Sequence, residues 1–119
     1  MFIKDLRQCD EFLAGDSTTL RELLHPDKAE LAFHYSLAHA VLPVGKSSQP
    51  HRLNASEVYY ILEGNGRMHI NDAIEIVKPE QAIYIPPHAQ QFIENIGTTD
   101  LKFLCIVDPA WRMEDEEVF

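Results

Sequence analysis

The chain is 119 residues long, which suits one domain, and 45% of it is hydrophobic, enough for one core but not two. Ten basic residues against nineteen acidic ones give a formal net charge of -9. Such a surface repels nucleic acid and anionic membranes, because phosphate contacts need local positive charge, and Lys4 with Arg7 is too thin a basic patch to reverse this.

Two cysteines, Cys9 and Cys105, do not make a disulfide framework, and the absence of a CxxC unit removes support for a zinc knuckle or thioredoxin-type site. The N-terminal stretch MFIKDLRQCDEF carries acids early and lacks a long apolar run, so it does not read as a signal peptide. No apolar run is long enough for a membrane span. A cytoplasmic location is the resulting expectation.

Residues 1–30 differ from the rest and read as an arm. Asp16-Ser17-Thr18-Thr19 offers a cap for a short helix through Leu20, Leu23 and Leu24, which Pro26 stops. From residue 31 the period becomes two. Leu31–Leu42 reads as a strand because Phe33, Tyr35 and Val41 favour extended backbone, and Val44–Pro50 is a loop. Further strands are predicted at Glu57–Leu62, Arg67–Ile70, Ala73–Val77, Ala82–Ile85, Gln91–Glu94 and Leu101–Val107. The turns between them are marked by Gly64-Asn65-Gly66, Asn71-Asp72, Pro79, Pro86-Pro87 and Asn95–Asp100. Residues 111–119 form an acidic tail. Short strands with tight turns and no crossover helix predict an all-β sandwich or barrel, and closure into a barrel would remove exposed edges. The expected organisation is an arm over 1–30, a barrel over 31–110 and a tail over 111–119.

Alternation places Glu57, Tyr59 and Ile61 on one face of their strand. A carboxylate at the start of a buried strand needs a cation, a metal or a set of donors, and Arg52 and Arg67 are the candidate partners in sequence. His51 precedes Glu57 by six residues, and Gln91 opens a later strand. One imidazole nitrogen and two oxygens are a set that suits Mn, Fe, Ni or Zn, so His51, Glu57 and Gln91 are candidate metal ligands if the strands bring them together. Ser36, Ala38 and Ala40 share a face with His34 and leave room beside it. Tyr59, Tyr35 and His34 are therefore candidate proton-transfer residues, His34 because an imidazole titrates near neutrality. His69 alternates with Met68 and Ile70 and is expected to point away from them. Gly45–Ser48 lacks the glycine loop of a phosphate site, and no nucleophile-elbow pattern occurs.

These residues resemble the cupin superfamily, in particular its small single-domain members. The first cupin motif is matched by Gly45, KSSQP, His51-Arg52-Leu53, Asn54-Ala55-Ser56, Glu57, VYYILE and Gly64. In the second, Pro86 and Asn95 match, Glu80 and His88 stand at glycine positions, and Gln91 stands at the histidine position. The resemblance implies a double-stranded β-helix or jelly-roll barrel, here with a short N-terminal helical arm. It places His51 and Glu57 at family ligand positions, while Leu53 sits where a second histidine is expected and cannot ligate. It also implies a homodimer and a small-molecule ligand. The function so expected is binding of a divalent metal and a small polar metabolite, with isomerase, epimerase, decarboxylase or lyase chemistry. Non-enzymatic binding or sensing of a small molecule is the alternative.

Overall fold

The computed structural model describes all 119 residues. Eleven strands run in chain order: β1 (Glu11–Leu13), β2 (Thr19–Leu24), β3 (Ser36–Leu42), β4 (His51–Leu53), β5 (Ser56–Glu63), β6 (Gly66–Ile70), β7 (Ala73–Val77), β8 (Ala82–Ile85), β9 (Gln91–Asn95), β10 (Leu101–Asp108) and β11 (Glu116–Val118). Six of them form one sheet in the order β1-β2-β3-β10-β5-β8, and five form another in the order β11-β4-β9-β6-β7. Every pairing is antiparallel.

Two expectations are corrected. The chain is not a closed barrel: no ladder joins one sheet to the other, and β1, β8, β7 and β11 remain as edges. Closure is not needed to protect three of those edges. The terminal strands β1 and β11 have only three residues each, and β8 has four and runs straight into Pro86-Pro87, so each offers little backbone for stray pairing. The helical arm is also absent. Thr19–Leu24 is a strand, paired with β3 through Thr19↔Val41, Leu20↔Ala40, Arg21↔His39 and Glu22↔Ala38. The Asp16 carboxylate does accept the Thr18 N–H and hydroxyl, at 3.1 and 2.6 Å, but it closes the β1–β2 turn rather than starting a helix. The helical segments are two three-residue 3-10 turns, Leu6–Gln8 and Met113–Asp115. No helix is long and apolar enough to cross a membrane.

The register of the six-stranded sheet sorts the space between the sheets into rows. Leu20, Ala40, Phe103 and Ile61 lie side by side, and together with Leu42, Met68, Val77, Ile93 and Leu101 they make the apolar core. Burying each of the larger side chains contributes about 1.5–3 kcal/mol. The next row is Glu22, Ala38, Cys105 and Tyr59, and the one after holds Ser36, Val107 and Glu57. One end of the interior is therefore greasy, and the other is polar and lined by small residues.

Turns hold this arrangement. Gly64 has φ +88, and a Cβ there would lie 2.7 Å from the Asp100 carbonyl oxygen. Glu80 and His88, at the two family glycine positions, have φ of +73 and +67, so both keep the left-handed backbone that favours glycine. Buried Asn95 ties the polar loops together: its Nδ2 donates to the Leu42 and Thr99 carbonyls at 2.9 Å each, and its Oδ1 accepts the Gly97 N–H at 2.9 Å.

Candidate functional site

The polar end of the interior encloses a cavity of about 40 Å³, space for roughly three waters or the head of a small ligand. Alternation along β5 sends Glu57 and Tyr59 into it, and both are buried. From the opposite sheet, β4 supplies His51, which pairs across the ladder with Gln91 of β9. Leu53 lines the same wall.

A hydrogen-bond chain links three of these groups. The Tyr59 hydroxyl donates to Gln91 Oε1 at 3.2 Å, and Gln91 Nε2 donates to Glu57 Oε1 at 2.8 Å. No cation reaches Glu57, because Arg52 pairs with Glu117 and Arg67 with Glu94. Burial pushes the Glu57 carboxyl up to about 8, against the pull of the Gln91 hydrogen bond, and the carboxylates of Asp16 and Glu116 push the same way. Glu57 is therefore neutral at pH 7. With Oε1 accepting from Gln91, its proton belongs on Oε2. Burial, and then the neighbouring Glu57, raise the Tyr59 hydroxyl well above its ordinary value, so it stays a donor. The Cys105 thiol is raised for the same reasons.

His51 is 2% exposed, and its Nδ1 lies 2.8 Å from the Gln49 carbonyl oxygen. A carbonyl can only accept, so Nδ1 carries a proton and Nε2 faces inward. Nε2 lies 3.6 Å from Asp16 Oδ2, too far for a hydrogen bond.

The structure thus brings together His51, Glu57, Gln91 and Tyr59. It does not bring in His34 or Tyr35. Both are exposed in the segment before β3, with Tyr35 stacked on Phe33 at a centroid distance of 4.0 Å. His69 points outward, as its alternation with Met68 implied, and bonds Glu94 at 2.7 Å. Asp16 and Glu116 line the cavity although neither is marked as a site residue in the sequence. Asp16 carries the signature of a cap and Glu116 sits in an acidic run. Only the path of the two chain ends turns them inward.

A divalent ion on His51, Glu57 and Gln91 can be tested against these contacts. No three His, Cys, Asp or Glu side chains are grouped to hold an ion. Gln91 turns its N–H toward Glu57 and commits its oxygen to Tyr59, so it does not present that oxygen to an ion shared with Glu57. The donor set in this arrangement does not fit such a centre.

Residues 38–107 match the cupin domain family. The chain is 41% identical over 108 residues to the uncharacterized protein MJ1618 of Methanocaldococcus jannaschii, covering 90% of this chain and 86% of that one. It is 34% identical over 88 residues to an oxalate-binding protein of Thermotoga maritima, covering 73% of this chain and 68% of that one. Among solved structures, oxalate decarboxylase from Bacillus subtilis superposes with a TM-score of 0.85 at 17% identity. The superposition takes in 99% of this chain and 32% of that enzyme, so it speaks to fold alone. With two facing antiparallel sheets, and the Gly45–Gly64 motif delivering His51 and Glu57 to the cavity between them, the chain belongs to the cupin family.

Proposed function

We propose that this chain binds a small polar metabolite in the cavity between its sheets and presents Glu57 to it as a neutral carboxylic acid. No divalent ion on His51, Glu57 and Gln91 takes part in this reading. The observation that carries it is the state of Glu57: buried, unpaired with any cation, raised to about 8, and bonded through Oε1 to Gln91. Gln91, held in turn by Tyr59, fixes which carboxyl oxygen keeps the proton. Tyr59 and Gln91 are positioning residues, and Glu57 is the acid.

Across the cavity, His51 Nε2 with Asp16 beside it is the natural proton acceptor. An acid and a base on opposite walls support proton relocation on a bound ligand, as isomerases, epimerases and lyases perform. This pairing favours chemistry over simple retention of a ligand. The 34% identical oxalate-binding protein shows that small-molecule binding occurs among relatives.

Elemental analysis of protein purified from metal-rich medium tests the reading. The expected result is metal well below one ion per chain, unchanged in His51→Ala. One tightly held ion per chain, lost on changing His51 or Glu57 to alanine, would overturn it.

A further inference from the structure

Three carboxylates from outside residues 38–107, the span that matches the family, line the cavity: Asp16, Glu22 and Glu116. Glu22 is paired with Lys28 at 2.5 Å, which leaves Asp16 and Glu116 as the two with no lysine or arginine partner. Asp16 stands in the β1–β2 turn and Glu116 in β11, and both line the cavity with Glu57. Its lining contains no Lys or Arg, and His51 is its one basic side chain. The acids are not spent on each other's structural needs. Asp16 uses Oδ1 for Thr18 and leaves Oδ2 facing His51, while Glu116 accepts only the Trp111 indole N–H, at 2.8 Å.

A second feature adjoins this one. The cavity shares Phe12, Ala14, Trp111 and Glu116 with a groove of about 430 Å³, whose remaining walls are mainly apolar. The groove runs between the first and last strands, β1 and β11. Gly15 lets them approach: a Cβ there would lie 2.8 Å from Glu116 Oε1. The acidic cavity therefore adjoins an apolar trough, with the Phe12 and Trp111 rings lining both, and aromatic faces attract cations.

We propose that the ligand of this cavity is a primary amine bearing a short apolar substituent, with Asp16 and Glu116 as the residues that select it. The ammonium group sits between the two carboxylates, and the apolar part lies in the groove. Anions such as oxalate are rejected by the same carboxylates. The proposal rests on the cavity being the ligand site.

Trp111 is the only tryptophan in the chain, and it lines both compartments, so its fluorescence reports occupancy of either. Butylamine, hexylamine, hexanol, hexanoate and oxalate would be titrated at neutral pH. Hexylamine is expected to bind most tightly, with affinity rising about fourfold per methylene from butylamine. Asp16→Asn and Glu116→Gln keep the acceptor oxygens for Thr18 and Trp111, and each is expected to weaken hexylamine at least about tenfold while leaving hexanol unchanged. Tighter binding of hexanoate or oxalate, or no binding by either amine, would overturn the proposal. So would equal losses for hexylamine and hexanol in the two variants. A Glu57 carboxyl that still titrates near 8 beside such a failure removes the ligand class alone; one that titrates as an ordinary carboxylate removes the reading beneath it.

Discussion

Replacing Glu57 with glutamine should stabilise the protein, and by an amount that grows with pH. Below 4.5 the carboxyl is neutral in the folded and unfolded chains alike. Between 4.5 and about 8 the unfolded chain ionises while the folded one stays protonated, so stability falls as pH rises through that window. At about 1.4 kcal/mol per pH unit the full window is worth on the order of 5 kcal/mol, a large part of a typical domain's stability. The amide introduced by Glu57→Gln keeps an acceptor oxygen for the Gln91 N–H and carries no charge to desolvate. Urea unfolding of wild type and Glu57→Gln at several pH values from about 5 to 9 measures the difference directly. The stability advantage of the variant should widen by about 4 kcal/mol across that range. Histidine titrations are common to both proteins and cancel. Parallel stability curves would refute the reasoning, because they would mean that Glu57 is charged and solvated in the folded state.

Other consequences follow from single contacts. Cys105 is buried with its thiol raised, so a thiol reagent at about pH 8 should label only Cys9 in the native protein and both cysteines in denaturant. Asn95→Ala removes three hydrogen bonds to the backbone of Leu42, Thr99 and Gly97 and should cost about 3 kcal/mol in urea unfolding; a loss below about 1 kcal/mol would mean water replaces them. Gly64→Ala places a Cβ against the Asp100 carbonyl at positive φ and should cost about 2 kcal/mol or more, whereas a surface change such as Glu114→Ala should be nearly silent.

The sequence carried the middle of this molecule better than its ends. From Glu57 to Val107 the strands announce themselves by β-branched and aromatic content between glycine, proline and asparagine turns, and most lie where predicted. Alternation alone places Glu57 and Tyr59 inward. The arm misled because Leu20, Leu23 and Leu24 fall at helical spacing, and because an aspartate before two threonines serves a hairpin turn as well as a helix N-terminus. What decides between them is β3: its edge offers hydrogen bonds to Thr19–Leu24 that no local preference encodes. Short strands, tight turns and the family motif all point to a barrel, but β1, β11 and β8 are short enough to leave little open edge without closure. Asp16 and Glu116 could not be read as site residues, since each reaches the cavity only through the course of a chain end. Gln91 stands where a ligand is expected, but its committed hydrogen bonds to Tyr59 and Glu57 exist only once β5 and β9 face each other across the interior.

Direct titration of the Glu57 carboxyl tests the central claim most plainly. With glutamate labelled at the side-chain carboxyl carbon, and Glu57→Gln used to assign the resonance, its shift can be followed from about pH 4 to 10. The account predicts a midpoint near 8 and no change on adding a chelator. A midpoint near 4.5, or a resonance that moves when a divalent ion is removed, would contradict it.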